Sequence, residues 1–341
     1  VSAPVHEALR LLAEGRNLSS DLAQRTMDDL MGGRCTPAQV GALLMGLRSK
    51  GETVEEITAF ARAMREHSLS FVPNVEVMDV VGTGGAKLKT FNISTTTAFV
   101  VAGAGVPVAK HGNRSNSSPS GSADALEALG VKLDVPPERV KQAIETIGIG
   151  FMFAPTHHPA MRHAIGARKE LAIRTVLNML GPLTNPAWAG AYLMGVFSPL
   201  LVESYPYVLQ NLGVKRALVV HGVEGLDEFS TLGETLVGQL DESGVSHYRA
   251  RPEPFGFKRT TIERVKNVPP PQSAALARGL LSGKVQDERL EIVLLNAGAA
   301  LYAAGKAGSI EAGIARAQES IRSGAARDKL EALIALTQQA V

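Results

Sequence analysis

A chain of 341 residues with 45% hydrophobic and 20% charged residues has the composition of an ordinary globular protein, long enough to divide in two because single cores seldom grow past roughly 250–300 residues. A net charge of +2 provides no basic surplus to suggest nucleic acid as the main partner, and no run approaches the roughly 18 uncharged apolar residues that span a bilayer. The one cysteine, Cys35, rules out an internal disulfide and a thiolate metal site of its own, and His6, Glu7 and Arg10 interrupt the first leucines, so the expectation is a cytoplasmic protein with no membrane partner.

Residues 3–66 predict a run of helices with apolar residues at three and four spacing. Ser19 or Ser20 can cap one start, Thr36-Pro37 another, and Thr53 with Glu56 spells a capping box, while Gly32-Gly33 and Gly51 end their helices. A helical unit over 1–70 is expected. The texture changes at 71–76. "VEVMDVV" predicts a buried strand, and from there helix 94–104, strand 106–112, helix 120–130, a short strand 131–133, helix 136–148, strand 149–155 and helix 159–171 alternate. Residues 172–190 read as helical and then irregular, and could return to the first helical layer. Helix 201–213, strand 215–222, a strand-like stretch 234–240 and helices 272–282, 289–304 and 308–320 follow, with the proline-rich 249–271 expected as surface loop. Alternation of this kind implies an α/β unit over 71–341 around a mainly parallel sheet.

Three loops follow strands in this reading. "GTGG" (Gly82, Thr83, Gly84, Gly85) lets successive backbone N–H groups converge on an anion, and the helix that opens near Asn92, Ser94 and Thr95 adds its own free N–H groups. Lys87, Lys89 and Lys110 offer mobile positive charge. Neither G-K-[ST] nor G-x-G-x-x-G is present, so the alternative is a plain tight turn between strand and helix. A second loop over 110–124 carries His111, Gly112, Asn113, Arg114, Ser115, Ser117, Ser118 and Ser120. Loops after the carboxyl ends of parallel strands share one rim, and two such loops suit a ligand with a sugar and more than one phosphate. In the third, "VVHGVEGLDEF", Asp227 and Glu228 are either a solvated acidic turn or the holders of Mg²⁺, which binds oxygen and is commonly shared with phosphate.

Arg162, Arg168 and Arg174 are candidates to receive an acidic second substrate in a bidentate fork, with Met152, Met179 and Pro182 as apolar walls. His157 and His158 precede Pro159 without a third ligand in register, and suit capping or packing better than zinc.

The strings "VGTGG", "FNIST", "VAKHGNRSNSSPSGSADALEALG", "GIGFMFAPTHHPAMRHAIGARKELAIRTVLNMLGPLTNPA" and "VVHGVEGLDE" together resemble the anthranilate phosphoribosyltransferase family over nearly the whole chain. The resemblance implies a small helical domain joined by 172–190, which makes a homodimer contact, and a large α/β domain like that of pyrimidine nucleoside phosphorylases, the class III phosphoribosyltransferase fold. It implies transfer of phosphoribose from phosphoribosyl pyrophosphate to anthranilate with Mg²⁺ present. Carried over by motif, Gly82, Thr83, Gly84, Gly85, Thr90, Asn92, Ser94, Thr95, Lys110, Gly112, Ser118 and Ser122 would surround phosphoribosyl pyrophosphate, with Lys87, outside the motif, expected to contact a phosphate, and Ser94, Asp227 and Glu228 would surround the metal. His111, Asn113, Arg168 and Pro182 would form the anthranilate path, the first three as the catalytic set. One departure stands out: where the family usually continues GTGGDG, this chain reads "GTGGAK", with Ala86 and Lys87 in place of Asp and Gly. Competing readings are a pyrimidine nucleoside phosphorylase and an altered, nucleic-acid-binding homologue.

Overall fold

The computed structural model describes residues 3–115 and 119–339; Ser118, assigned above to the phosphoribosyl site, lies outside them. The chain opens with α1 (Ala3–Ala13), α2 (Ser20–Met31), α3 (Pro37–Lys50) and α4 (Val54–Glu66). Their starts use the expected chemistry. The Ser19 hydroxyl accepts the Leu22 N–H at 3.3 Å, and Thr36 with Gln39 and Thr53 with Glu56 form reciprocal capping boxes. Glu56 is fully buried and also accepts the Leu18 N–H and the Lys50 ammonium, each at 2.8 Å, which ties the start of α4 to the loop before α2.

The second part runs β1 (Met78–Gly82), α5 (Ile93–Gly103), β2 (Val108–Gly112), α6 (Ser122–Leu129), α7 (Pro137–Ile147), β3 (Ile149–Phe153), α8 (Ala154–His157), α9 (Arg162–Leu171), α10 (Leu177–Leu180), β4 (Ala191–Gly195), α11 (Pro199–Asn211) and β5 (Arg216–Gly222). It continues through β6 (Thr235–Asp241), β7 (Gly244–Ala250), α12 (Ile262–Val265), α13 (Pro270–Leu281), α14 (Glu288–Ala303), α15 (Ile310–Arg322) and α16 (Ala325–Gln338). The sheet order is β3-β2-β1-β4-β5-β6-β7, with β3 to β5 parallel and the last two strands antiparallel. The fold is thus an N-terminal helical bundle and a larger α/β unit with a mostly parallel sheet, as the alternation implied.

Five local expectations need correction. Residues 131–133 are not a strand: they join none of the seven strands of the sheet, and the Lys132 N–H donates to the Thr337 hydroxyl of α16 at 3.2 Å. Residues 191–195, given no element by the sequence pattern, form β4, a central strand between β1 and β5. β7 and α16 were not expected, and the stretch 249–271 holds α12 rather than loop alone.

Apolar side chains alternate across the sheet. Met78, Val80, Leu193, Leu218 and Val220 pack under α5 and α13 to α16, whereas Val81, Ala109, Met152, Tyr192, Met194 and Val219 share one core with α1 to α4 and α9 to α11. The helical layer therefore closes its core on the sheet. The order in which strands are added reverses between the parallel neighbours β1 and β4, where Gly82 pairs with Gly195, the kind of switch point at whose carboxyl ends open α/β sheets bind ligands.

Candidate active site

The glycine turn grows directly out of that reversal. The Thr83 N–H donates to the Gly195 carbonyl at 2.9 Å, and the Thr83 hydroxyl accepts the Phe197 N–H at 3.0 Å, so both are spent fixing β1 to the end of β4. Gly84 and Gly85 have φ of 64° and 72°, the left-handed region that a Cβ penalises. The Gly84 N–H donates to the Asp227 carboxylate. Arg174 donates to the Gly85 carbonyl while its guanidinium lies 4.4 Å from the centre of the Phe197 ring, bracing the turn from the side. Beyond it Ala86 is buried, Lys87 is exposed, and the Leu88 N–H donates to the Gly225 carbonyl at 3.1 Å.

Asp227 and Glu228 come from the loop after β5, which frees neighbouring residues from the opposite-facing geometry of a strand. A Cβ on Gly82 would stand 3.3 Å from Asp227 Oδ2, so the carboxylate lies against the root of the glycine turn. Burial pushes the Asp227 carboxyl up, opposed by the Gly84 N–H and Lys89; burial and then the Asp227 charge push Glu228 up to about 8, against Lys110 and the Ser94 N–H. Two carboxylates held this close lack positive charge between them. Among the described residues no group of three or more His, Cys, Asp or Glu is placed to hold a metal. The donor set therefore fits a hard cation that completes its shell with phosphate and water oxygens, as Mg²⁺ does, and does not fit zinc.

Lys110 on β2 is buried, with its ammonium donating to the Val80 carbonyl at 2.6 Å and the Ser94 hydroxyl at 3.4 Å; burial lowers its pKa, and the Asp79 and Glu228 charges oppose that. Its neighbour His111 faces the other way. Burial first, then His158 and His157, hold His111 well below the ordinary histidine range. Its ring is neutral, Nδ1 lies 3.2 Å from the Gly181 carbonyl and so carries the proton, and Nε2 is enclosed without a partner. His158, 5.0 Å away ring to ring, is held at about 4 by burial, and His157 Nδ1 is engaged by the Leu69 carbonyl at 2.9 Å, a packing role.

Beneath these lies Asp79, fully buried on β1. It accepts the His111 N–H at 3.2 Å and the Asn185 side-chain amide at 2.7 Å; that amide also donates to the Ala109 carbonyl at 2.8 Å. Burial raises Asp79 to about 7 despite Lys110 and these donors. Sequence reasoning passed over Asp79 and Asn185, although a carboxylate inside an apolar parallel strand was a readable signal.

Of the three arginines, Arg162 is exposed and Arg174 is engaged with the glycine turn. Arg168 on α9 is partly buried, burial alone lowers its pKa, and it has no anionic partner among the described residues. Pro182 is buried in the 3-10 turn whose Gly181 carbonyl meets His111. In the serine loop Asn113 is exposed and its carbonyl accepts the Ala123 N–H and the Ser122 hydroxyl, each at 3.2 Å. A Cβ on Gly112 would overlap that Ser122 hydroxyl. Thr95 is buried with its hydroxyl unpartnered, and Thr90 bridges to Lys266. Asn92 caps α5 without a side-chain bond to it; its carbonyl oxygen is filled by the hydroxyls of Ser120 and Ser273.

Residues 6–68 match the model of the glycosyl transferase family helical bundle domain, and 74–327 that of the glycosyl transferase family a/b domain. The chain is 49% identical to the anthranilate phosphoribosyltransferase of Methylococcus capsulatus over 98% of each chain. Among solved structures it is similar to the anthranilate phosphoribosyltransferase of Thermus thermophilus, with a TM-score of 0.93 and 46% identity over 97% of this chain and 99% of that one. The Saccharomyces cerevisiae enzyme in complex with PRPP and Mg gives a TM-score of 0.91 and 28% identity over 99% and 98%. With matches of this identity along its whole length, the chain belongs to the anthranilate phosphoribosyltransferase family of pentosyl-transferring glycosyltransferases.

Proposed function

We propose that this chain transfers the phosphoribosyl group of phosphoribosyl pyrophosphate to the amine of anthranilate, giving N-(5-phosphoribosyl)anthranilate and pyrophosphate, the second step of tryptophan biosynthesis from chorismate. The observation that carries this reading is the meeting of the glycine turn, Lys110 and the Asp227–Glu228 pair at the switch point between β1 and β4. Asp227, Glu228 and Ser94 would hold Mg²⁺, which when bound supplies positive charge to the pyrophosphate oxygens. Lys110, with those N–H groups of the turn and of α5 not already spent on Gly195, Asp227 and Glu228, directs further positive potential at the same place, where negative charge grows as the C1–O bond breaks.

Arg168 suits the anthranilate carboxylate because it is half desolvated and unpaired. An aromatic amine keeps its lone pair at neutral pH, so positioning matters more than a strong base. His111 is neutral with Nε2 enclosed and its basicity lowered by burial, which suits it to positioning rather than to strong base chemistry, as the amine requires. Arg168→Ala should raise the KM for anthranilate about 10- to 100-fold, the worth of a charge-assisted fork, and leave the KM for phosphoribosyl pyrophosphate unchanged. Product formation followed by fluorescence reads both constants; equal damage to the two would remove Arg168 from this role.

Ala86 removes a carboxylate that the family pattern places in the turn, and Lys87 beside it is exposed to solvent. Ala86→Asp returns a negative charge next to an anion site. At low ionic strength and limiting Mg²⁺ it should raise the KM for phosphoribosyl pyrophosphate roughly fivefold, the effect of about 1 kcal/mol of repulsion, with recovery as Mg²⁺ is increased. An unchanged KM across a magnesium series would show that the departure is neutral. The helical layer is the face we assign to a homodimer, since Met45 on α3 and Ile165 on the adjoining α9 are exposed apolar side chains.

A further inference from the structure

The stretch before α13 belongs to no phosphate motif, yet it is fastened to two of them. Val265 is wholly buried, and its carbonyl accepts the Phe91 N–H at 3.0 Å. Lys266 and Thr90 form an isolated antiparallel bridge, and the Asn267 N–H donates to the Lys89 carbonyl at 2.9 Å. Residues 265–267 thus lie as a strap along 89–91, the segment that joins the glycine turn to α5.

From that strap the Asn267 side-chain amide donates to the Ser120 carbonyl at 3.3 Å, at the end of the serine loop. The same carbonyl accepts the Asn92 amide at 3.4 Å. In return, Asn92 Oδ1 accepts the Ser120 hydroxyl at 3.0 Å and the Ser273 hydroxyl, from α13, at 2.6 Å. A carbonyl oxygen has two lone pairs, so both acceptors at the centre of this knot are filled. Ser120 and Ser273 are 3% and 2% exposed, which keeps water from replacing either hydroxyl cheaply. Asn267 Oδ1 is enclosed without a partner, so the residue is held for its donors.

We propose that Asn267 and Ser273 are positioning residues for phosphoribosyl pyrophosphate: through Asn92 and Ser120 they fix the glycine turn and the serine loop at the separation the ligand needs. The proposal rests on the function assigned above. Only loops held at that separation bind, so loss of a bond in the knot lowers the competent fraction, and the apparent dissociation constant rises by the same factor. His111, Arg168 and Pro182 donate or accept no bond in this knot, so anthranilate binding is not expected to follow.

The test is calorimetric titration of wild type, Asn267→Ala, Ser273→Ala and Asn267→Asp with phosphoribosyl pyrophosphate and Mg²⁺, alongside steady-state kinetics and thermal melts. Each alanine variant should weaken phosphoribosyl pyrophosphate about threefold to tenfold, the worth of one buried hydrogen bond, with kcat and the anthranilate KM held within about twofold. Asn267→Asp should be the weakest binder because it sets a carboxylate oxygen against the Ser120 carbonyl. Asn267 is partly exposed, so its variants keep the fold even if Ser273→Ala does not. Wild-type affinity in both Asn267→Ala and Ser273→Ala overturns the proposal, as does a fall in kcat and anthranilate use in step with affinity, which marks general loosening. Failure of the wild type itself to bind the sugar overturns the functional reading and the knot's role together.

Discussion

Asp227→Asn and Glu228→Gln should each lower kcat/KM for phosphoribosyl pyrophosphate by about 10²- to 10³-fold, the range for removing one member of a preorganised electrostatic site, while leaving the melting temperature unchanged or higher. The two halves of this expectation come from one fact. In the protein alone both carboxyls are pushed upward, Glu228 to about 8, chiefly by burial and then by its neighbour. A folded state that raises a carboxyl pKa disfavours its charged form, so an isosteric neutral side chain relieves the fold at neutral pH. The Gly84 and Ser94 N–H groups that now face the carboxylates can donate to an amide oxygen instead, which keeps the loop in place. With cation present the sign inverts, since the pair is then the protein's own anchor for it. Removing magnesium from the wild type by chelation should reproduce the loss of turnover. Differential scanning calorimetry with and without Mg²⁺, beside the fluorescence assay, separates the outcomes: variants that lose stability together with activity would make the pair a structural ion cluster, and variants with full activity would remove it from the site.

Those carboxylates were legible before any coordinates because the signal is local: an acidic dipeptide in a loop after an apolar strand. The same holds for the glycine turn and the serine loop, where glycine and hydroxyl residues interrupt apolar runs. Helix starts were legible for a related reason, since a cap is made by residues three apart. What failed had no local signature. β4 has five residues and follows an irregular segment, so its β character comes from β1 and β5 on either side rather than from a pattern of its own. β7 exposes Ser246 through Arg249 and therefore shows no apolar alternation, being held as the edge partner of β6. Residues 131–133 are apolar at two positions, with only Val131 β-branched, and three residues carry too little pattern to pair: the Lys132 N–H is taken by the Thr337 hydroxyl instead of a strand.

The site divides along the same line. Residues that would touch substrate lie in motifs, whereas those that set its geometry are joined only in three dimensions. Asp79 holds His111 and Asn185 across 32 and 106 residues of sequence. Asn267 meets Ser120 across 147 residues, and Arg174 meets Gly85 across 89. Asn92, expected among the groups around phosphoribosyl pyrophosphate, has its side-chain carbonyl oxygen committed to Ser120 and Ser273, leaving its amide as the group with capacity to spare.

Gly195 is the position where this hidden geometry is most exposed to a single change. It ends β4, pairs with Gly82 across the reversal of strand order, and accepts the Thr83 N–H that fixes the glycine turn. A Cβ there would overlap the backbone carbonyl oxygen of Asp227. Backbone cannot swing aside as a long side chain can, so either the end of β4 or the loop carrying Asp227 and Glu228 must move, and the first choice drags the glycine turn with it. Gly195→Ala should therefore cost about 10³-fold or more in kcat/KM, because a shift of about 1 Å separates groups that act only together. Overpacking of this kind costs about 1–3 kcal/mol, which leaves a chain of this size folded with a melting temperature only a few degrees lower. Gly41→Ala is the matched control: it sits inside α3 with nothing near the added methyl, and should gain about 0.5–1 kcal/mol from helix propensity with turnover unchanged. Should Gly195→Ala bind phosphoribosyl pyrophosphate and turn over like wild type, the packing of Asp227 against β4 would have no part in holding the carboxylates where the reaction needs them.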